Sequence, residues 1–382
     1  MNALLKITLL AAGLAACGDS KGQPIKNNPD GGGGSNDGSN GSDATSPTAV
    51  PLVVASSHGV LVYNDSAAIT GDVAPDATIT SGLTTGAGAV TVSGDRLYAG
   101  SAPGPGLANS TVLAFDDAHA LTSSATPTAT IARPYPATRM RVDGADNLWL
   151  SFSDGEPEID RFAGASTLGS SATPTTIYTV TNMQVPGFAY EPTSDRLFVG
   201  QISGMGVLGW DKAEMETGMP TQDFTLSLGA YWTMLIDHDR IYGGGQHASG
   251  STGVAIWPNA STVGGGGNTV SPIEVDVVGS NPGQFIADIA IRDDVLVVAA
   301  RDQNEVLVYL NASQITANRA ADFTITDTRM TAPSRLAIGP SGRLYVVASD
   351  GVVIFDAITT APAFVAKLQT GVGTPQDVAL AE

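Results

Sequence analysis

The sequence repeats itself seven times after residue 50. An aromatic residue recurs at the end of a run of aliphatic residues, and successive aromatics are 52, 47, 48, 47, 52 and 46 positions apart. Aromatic residues make up only 6% of the chain, so seven at one phase are not a chance arrangement. The seven positions are Tyr63, Phe115, Phe162, Trp210, Trp257, Tyr309 and Phe355. Regular self-similarity of this kind indicates a repeat architecture, in which each unit buries its apolar surface against its neighbour.

Each repeat contains four short strand patterns. A run such as Leu344-Tyr-Val346 precedes the aromatic strand. A turn with Asp, Asn or Gly, such as Ser341-Gly342, comes before this run. The strand after the aromatic often opens with a proline, as at Pro75 and Pro127, which suits an edge strand because proline has no N–H to donate. A fourth short run, such as Leu336-Ala-Ile338, completes the unit. The pattern predicts an all-β protein: a seven-bladed β-propeller with four-stranded antiparallel blades.

The two ends of the repeat region complement each other. The first repeat begins at Leu52 without a fourth-type strand, and the last one continues through such a strand at 377–381. A solenoid would need polar caps at its ends instead. We therefore expect the C-terminal strand to pair with the N-terminal blade, residues 52–80, and so to close a ring formed by residues 49–382.

One repeat resembles a known group of propellers. The segment Arg343-Leu-Tyr-Val346, followed by Gly351-Val-Val-Ile-Phe-Asp356, is similar to the blades of NHL- or YVTN-like repeat proteins. The resemblance covers essentially everything after residue 50, and it implies the propeller fold. That group includes binding scaffolds, lyases and lactonases, so the resemblance implies no single activity.

The N-terminus has the composition of a targeting segment. Residues 1–17 combine a short basic region at Lys6 with an apolar stretch from 7 to 16. The sequence Leu14-Ala-Ala-Cys17 resembles a bacterial lipobox, which implies a signal peptide, lipidation of Cys17 and a membrane partner reached through that lipid. Gly18 after the cysteine favours the outer membrane within the cell envelope.

Residues 18–48 join this segment to the repeats. They are rich in Gly, Ser, Asn and Asp and contain almost nothing that could be buried. Such a composition predicts a disordered, flexible tether. The expected organisation is therefore a signal peptide at 1–17, a tether at 18–48 and one propeller at 49–382.

Charge and cysteine content exclude several classes. The formal net charge is −19, which repels a phosphate backbone and makes nucleic acid an unsuitable partner. Cys17 is the single cysteine, so no intramolecular disulfide can stabilise the fold. No later stretch reaches the ~18 apolar residues that span a bilayer. We expect a monomer.

The candidate site follows from aligning the fourth strands of the repeats. The position before the apolar run is polar in five repeats, at Arg139, Thr233, Asp288, Arg335 and Asp377, and it is Gly187 and either Gly88 or Ala89 in the other two. These polar residues at one structural phase form either a ring around a ligand in the channel mouth or an ion-pair network between blades. The second interpretation is favoured, although such pairs often add little stability.

Three further residues near these strands have two interpretations each. Trp232 and Tyr231 could stack on a sugar or aromatic ligand, or pack in the core, which is favoured. Arg141 stands where other repeats have a small or apolar residue. If it points into the channel it could bind an anion, and if it meets a neighbouring acid its role is structural; the structural role is favoured.

Motifs for catalysis or metal binding are missing from the sequence. The four histidines have no metal-ligand spacing, and no nucleophile elbow or phosphate-binding loop is present. The segment Asp237-His238-Asp239 coincides with a hairpin turn of the repeat, so it is interpreted as a turn. The sequence therefore predicts no catalytic residue and no metal ligand, and it leaves the cofactor open.

Two functions remain, and the sequence favours the first. The propeller would be a membrane-tethered binding or scaffold module for a protein, a glycan or a small ligand, and not an enzyme. The alternative is a channel-site enzyme, lactonase-like or lyase-like, possibly using a divalent metal. That enzyme needs polar groups that converge on one channel end, and Asp288 and Asp377 are the carboxylates in position to do so.

Overall fold

The computed structural model describes residues 49–83, 85–102, 110–152, 158–180, 187–202, 206–226, 229–264, 270–277 and 285–382. The predicted signal peptide with Cys17 and the predicted tether at 18–48 lie outside the described residues. The described part of the chain has no apolar helix of the length that a bilayer crossing requires.

The described residues form 28 strands in seven antiparallel sheets of four strands each. The innermost strands are β4 (Ala87–Ser93), β8 (Ala137–Val142), β12 (Phe188–Glu191), β16 (Gly229–Asp237), β20 (Ile286–Arg292), β24 (Arg335–Ile338) and β28 (Pro375–Leu380). The second strands are β1 (Leu52–Ser56), β5 (Arg96–Ser101), β9 (Asn147–Phe152), β13 (Arg196–Gly200), β17 (Arg240–His247), β21 (Val295–Ala300) and β25 (Leu344–Ala348). The third strands are β2 (Gly59–Tyr63), β6 (Ser110–Asp116), β10 (Glu158–Ala163), β14 (Val207–Asp211), β18 (Thr252–Pro258), β22 (Glu305–Leu310) and β26 (Gly351–Asp356). The outer strands are β3 (Ala77–Ile79), β7 (Ala129–Arg133), β11 (Thr176–Thr179), β15 (Phe224–Thr225), β19 (Ile273–Asp276), β23 (Phe323–Thr326) and β27 (Ala363–Leu368).

The seven-bladed propeller predicted from the repeats is confirmed, including its closure. In the first blade, β28 supplies the innermost strand beside β1, and Val54 lies opposite Val378 in the antiparallel register. The backbone N–H of Ala381 also donates to the carbonyl of Pro51 at 3.0 Å. The ends of the repeat region therefore share one sheet.

The repeated aromatic residues are buried opposite the second strand. Each one faces a leucine or isoleucine in register, as Phe115 faces Leu97 and Trp257 faces Ile241. All seven are at most 2% exposed. The apolar clusters join side chains of neighbouring sheets, so the core lies in layers between blades. This explains why one aromatic is required in every repeat: it fills the space between two blades.

An arginine contact between blades recurs four times. Arg343, the first residue of the Arg-Leu-Tyr motif, donates through Nη1 to the carbonyls of Ser66, Ala67 and Ile69 at 2.9–3.0 Å. Those carbonyls belong to the turn after the aromatic strand in the next blade, which contains a 3-10 helix at Ser66–Ala68. The equivalent donors in other blades are Arg96, Arg196 and Arg240. The other 3-10 helices are Ala165–Thr167, Arg301–Gln303 and Ala312–Gln314. The arginine of the repeat motif therefore fixes one blade to the next.

Candidate functional site

A β-bulge near the start of the inner strand recurs in five of the seven blades. The register shifts by one residue between Tyr231 and Thr233, and between Ile286 and Asp288. A bulge adds an unpaired residue and turns its side chain away from the regular alternation. The residues at the five bulges are Gly88, Thr138, Trp232, Ala287 and Gln376. Trp232, Ala287 and Gln376 consequently line a cavity at the start of the inner strands.

The residue after the bulge is the polar one that the repeat alignment identified. Asp288 accepts hydrogen bonds from Arg139 Nη1 at 2.8 Å and from Thr233 Oγ1 at 2.9 Å, both through Oδ1. Its Oδ2 accepts the backbone N–H of Leu336 in the next blade at 3.0 Å. Burial alone would raise the pKa of Asp288, but the charges of Arg139 and Arg335 outweigh it and lower that pKa below its usual range.

Asp377 makes a looser version of the same arrangement. Its Oδ2 accepts the backbone N–H of Val90 in the next blade at 3.1 Å, and Arg335 Nε lies 3.7 Å from its Oδ1. Burial raises the pKa of Asp377 above its usual value, because this single distant guanidinium compensates less. Asp288 and Asp377 thus each hold an arginine and the backbone of the neighbouring inner strand.

These pairs separate two cavities along the channel. The mouth cavity, about 540 Å³, lies where the inner strands begin, and the chamber, about 380 Å³, lies further along the same strands. Arg139 and Arg335 border both cavities, whereas Asp288 and Asp377 border only the chamber. The network that the sequence favoured between blades is present, and it also forms the floor of a ligand-sized cavity.

The mouth cavity has a strongly one-sided charge. Arg139, Arg301 and Arg335 line it, and its described lining contains no carboxylate and no histidine. Trp232 packs against Phe285 with ring centroids 4.8 Å apart, and the Arg301 guanidinium lies 5.9 Å from the centroid of Phe285. Aromatic faces beside cationic side chains are suited to a sugar ring that carries an acidic group.

The structure divides the remaining candidates between core and site. Tyr231 is fully buried and meets Trp257 edge to face at 5.2 Å, so its side chain belongs to the core, as favoured. Trp232, for which the core was also favoured, instead faces the mouth cavity, because the bulge separates its direction from that of Tyr231. Arg141 borders the chamber and forms no ion pair with any described carboxylate, so the acid partner favoured from the sequence is missing.

The turn around His238 could in principle hold a metal ion. Ligand atoms of Asp237, His238 and Asp294 lie within 4.8 Å of one another. Asp294, however, already accepts the backbone N–H of Ser313 at 2.6 Å, and His238 Nδ1 meets Asp237 Oδ2 at 2.5 Å. His238 and Asp239 both have positive φ, as a two-residue hairpin turn requires. These contacts account for the three residues as parts of turns.

The channel does not fit a divalent cation either. The two described carboxylates of the chamber each face a guanidinium, and three arginines border the same space. Cation ligands beside arginines are electrostatically unfavourable. The residues present are suited to anions.

Sequence reasoning missed two residues of the mouth cavity. Arg301 begins the 3-10 helix after β21, and Phe285 immediately precedes β20. Their backbones meet where Arg301 N donates to Phe285 O at 3.1 Å. A signal for Arg301 existed, since the corresponding position of other repeats holds a small residue, as at Ser57, Ala102 and Ser349.

Comparison with known proteins gives a likeness of fold. No family model and no curated protein sequence matches the chain. Among solved structures, the periplasmic gluconolactonase of Pseudomonas aeruginosa aligns with a TM-score of 0.66 and 15% identity over 87% of this chain and 99% of its own. A proposed 6-phosphogluconolactonase from Bacteroides fragilis aligns with a TM-score of 0.63 and 12% identity over 89% and 99%. A second one, from Bacteroides uniformis, gives 0.63 and 14% over 87% and 99%.

These neighbours overturn the function that the sequence favoured. A binding or scaffold module without chemistry was expected, with a lactonase-like or lyase-like enzyme as the alternative. The three similar structures just described are named as lactonases, so the expectation of a scaffold is corrected in favour of the alternative. The sequence pointed the wrong way because the arginines of the mouth cavity come from several blades and form no linear motif.

Proposed function

We propose that the chain is a hydrolase of sugar lactones that carry a negative charge, and that it binds them in the mouth cavity. The observation that carries the proposal is the set of three arginines, Arg139, Arg301 and Arg335, in a cavity whose described lining has no carboxylate. Two anionic groups are involved in this reaction: the acidic group of the substrate and the oxyanion that forms at the lactone carbonyl. Guanidinium groups stabilise both.

The two arginines at the floor of the cavity are held in place by neighbouring residues. Arg139 is held by Asp288 at 2.8 Å, and Arg335 by the carbonyls of Ser334 and Thr138 at 3.2 and 3.4 Å. Such contacts keep the guanidiniums oriented before substrate arrives, so little reorganisation is needed when charge develops on the carbonyl oxygen. Water then adds to the carbonyl carbon, and the ring C–O bond breaks as the ring oxygen takes up a proton. The new carboxylic acid releases a proton to solvent, so the hydroxy acid leaves with one more negative charge than the substrate had when it entered.

The residues at the rim of the mouth cavity favour a sugar substrate with an acidic group. Trp232 and Phe285 offer an apolar face for the sugar ring, and Arg301 lies beside them. In this proposal, Arg301 binds the acidic substituent of the substrate. Arg301 is exposed at the rim, whereas Arg139 and Arg335 are largely buried.

The test compares two lactones that differ in charge. Hydrolysis of 6-phosphoglucono-δ-lactone and of neutral glucono-δ-lactone is followed in a pH-stat, with the spontaneous rate subtracted. We expect Arg301→Gln to raise KM for the phosphorylated lactone by about 10- to 100-fold, since a hydrogen bond to a charged group is lost, and to change KM for the neutral lactone little. Arg335→Gln is expected to lower kcat for both.

A matched control comes from the outer edge of a blade. Arg319 pairs with Asp322 at the surface, and Arg319→Gln should leave both reactions unchanged. If the wild-type protein hydrolyses neither lactone above the spontaneous rate, the proposal is wrong. If Arg301→Gln affects both lactones equally, the assignment of Arg301 to the acidic group is wrong.

We further propose that this activity belongs to the cell envelope, with the protein anchored to the outer membrane through lipidated Cys17. The lipobox-like Leu14-Ala-Ala-Cys17 and the Gly/Ser-rich segment at 18–48 support the anchor. Metabolic labelling with radioactive palmitate tests it. Label should enter the wild-type protein and not Cys17→Ser, and equal labelling of the two would contradict the anchor.

A further inference from the structure

Arg141 is a cation in the channel that forms an ion pair with no carboxylate of the described residues. It lies two residues after Arg139 on β8, so both side chains project to the same side of that strand. Arg139 pairs with Asp288, whereas Arg141 has no hydrogen bond and no ion pair with any described residue. Its guanidinium lies 5.9 Å from the ring centroid of Phe188 in the next blade.

The charges around the chamber do not balance. Its described lining contains the guanidiniums of Arg139, Arg141 and Arg335 and the carboxylates of Asp288 and Asp377. Each carboxylate already faces one arginine, at 2.8 and 3.7 Å. One positive charge is therefore left over, and it belongs to Arg141.

The chamber also has the size and the surroundings of a small-ligand site. It is a partly open space of about 380 Å³ lined by residues of the innermost strands, among them the five charged side chains named above. Burial lowers the pKa of Arg141 to about 10, Arg139 adds repulsion, and Asp288 and Asp377 offset only part of this, so the group stays charged at neutral pH. A buried charge that its neighbours compensate only in part is stabilised when a counter-ion joins it.

We infer that the chamber is an anion site, separate from the mouth cavity, in which Arg141 binds one small singly charged anion, a halide or a carboxylate. Thr91 borders the same chamber. The planar guanidinium offers two parallel N–H donors to a carboxylate. This inference does not depend on lactone hydrolysis, because Arg141 does not line the mouth cavity.

Crystals soaked in bromide locate the site directly. We expect an anomalous peak within hydrogen-bond distance of the Arg141 guanidinium in the wild-type protein, and no peak there in Arg141→Met. Arg301→Met is the matched control, because it removes an arginine from the mouth cavity alone, and it should keep the chamber peak.

Titration in solution distinguishes the two anion types. Bromide and formate are added at constant ionic strength while the midpoint of thermal unfolding is recorded. The wild-type midpoint should rise and saturate, since a ligand of the folded state stabilises it. In Arg141→Met, the anion concentration that gives half of the maximal shift should be about 10- to 100-fold higher. Arg141→Lys keeps the charge but not the paired donors, so it should retain the response to bromide and lose much of that to formate.

Arg141→Met also measures what the unpaired charge costs the folded protein. In buffer without small anions it should unfold at a higher temperature than the wild type, because it removes an uncompensated charge. Wild-type crystals without a bromide peak at Arg141 would overturn the inference. So would anion responses that are the same in the wild type, Arg141→Met and Arg141→Lys.

Discussion

Arg139 reaches across the central channel to Asp288, with Nη1 2.8 Å from Oδ1, although 149 residues separate the two in the chain. Arg139 lies on the inner strand of the third blade and Asp288 on that of the sixth. Thr233 and the backbone of Leu336 bind the same carboxylate from two further blades. One carboxylate therefore links four blades of the ring and forms part of the boundary between the two cavities.

Asp288→Asn should destabilise the propeller strongly. The substitution leaves the Arg139 guanidinium, which is 10% exposed, without its counter-charge. Loss of one partner of a buried pair costs roughly 3–5 kcal/mol in the free energy of unfolding. Urea unfolding at pH 7 measures it. The exposed carboxylate Asp117 supplies the control, because Asp117→Asn should change the free energy by less than about 0.5 kcal/mol.

Asp288→Asn should also change how the free energy of unfolding depends on pH. The pKa of Asp288 is lowered in the folded protein, so its contribution is complete above the unfolded pKa of about 3.9 and is lost as the pH falls through the lower folded value. Wild type and Asp288→Asn should thus converge in stability as the pH falls below about 4. A difference that stayed constant over this range would contradict the role given to the ion pair.

Removal of residues 375–382 should unfold the domain. The deletion takes β28 out of the first blade and leaves the backbone groups of β1 without partners along one edge. Circular dichroism and protease resistance report the loss. As a control, Glu382→Gln removes only the surface ion pair with Arg292 and should melt as the wild type does. A truncated chain with an unchanged melting temperature would disprove closure through this pairing.

Arg343→Met should weaken the contact that joins the last blade to the first. The carbonyls of Ala67 and Ile69 lose the Arg343 donor, whereas that of Ser66 keeps the hydroxyl of Tyr345 at 3.1 Å. The expected cost is roughly 1–3 kcal/mol for each buried carbonyl left unsatisfied. Chemical denaturation of this variant beside Arg319→Met, at a half-buried position on the outer edge of a blade, gives the comparison. Equal stability of the two variants would mean that these hydrogen bonds contribute nothing net.

Asp160 should make the protein less stable as the pH rises. Burial raises its pKa to about 8, because the nearby Glu158 offsets part of the ion pair with Arg133. In the unfolded chain the group ionises near about pH 3.9. Between these values the folded state holds a proton that the unfolded state has lost, so stability falls as the pH rises from about 4 to 8.

Asp160→Asn should remove this dependence. Arg133 keeps Glu158 as a partner at 2.8 Å, so the substitution leaves no unpaired guanidinium. Compared with the wild type, the variant should gain stability at pH 9 relative to pH 5 in urea titrations. Parallel pH profiles of the two proteins would show that Asp160 does not titrate in this range.

Trp232→Leu should impair substrate binding more than folding. Trp232 occupies a bulge and packs against Phe285 at the rim of the mouth cavity, outside the layers between blades. We expect a higher KM for the lactone, a nearly unchanged kcat and a change in melting temperature of only a few degrees. The neighbouring Tyr231→Leu is the contrast, because Tyr231 is fully buried and its loss should lower stability instead.

Much of the fold could be predicted from the sequence because the determinants are local and repeated. The aromatic at positions such as Phe115 and Trp257 fixes the strand period and the face that is buried. The inner-strand pattern at 377–381 predicted the closing strand, since every other repeat has an equivalent strand beside its second strand. The same alignment predicted that Arg139, Asp288 and Asp377 occupy equivalent positions of the inner strands, at the channel.

The site itself was decided by contacts between distant blades. Strand periodicity places Trp232 and Tyr231 on opposite faces, but the bulge that turns Trp232 to the mouth cavity appears only in the paired strands. Likewise, the sequence shows that Arg139 and Arg141 share a face, and the ring decides that Asp288 neutralises one of them and not the other. Local patterns set the direction of a side chain along its own strand. Which charges meet across a channel depends on how seven blades close, and that is a property of the tertiary structure alone.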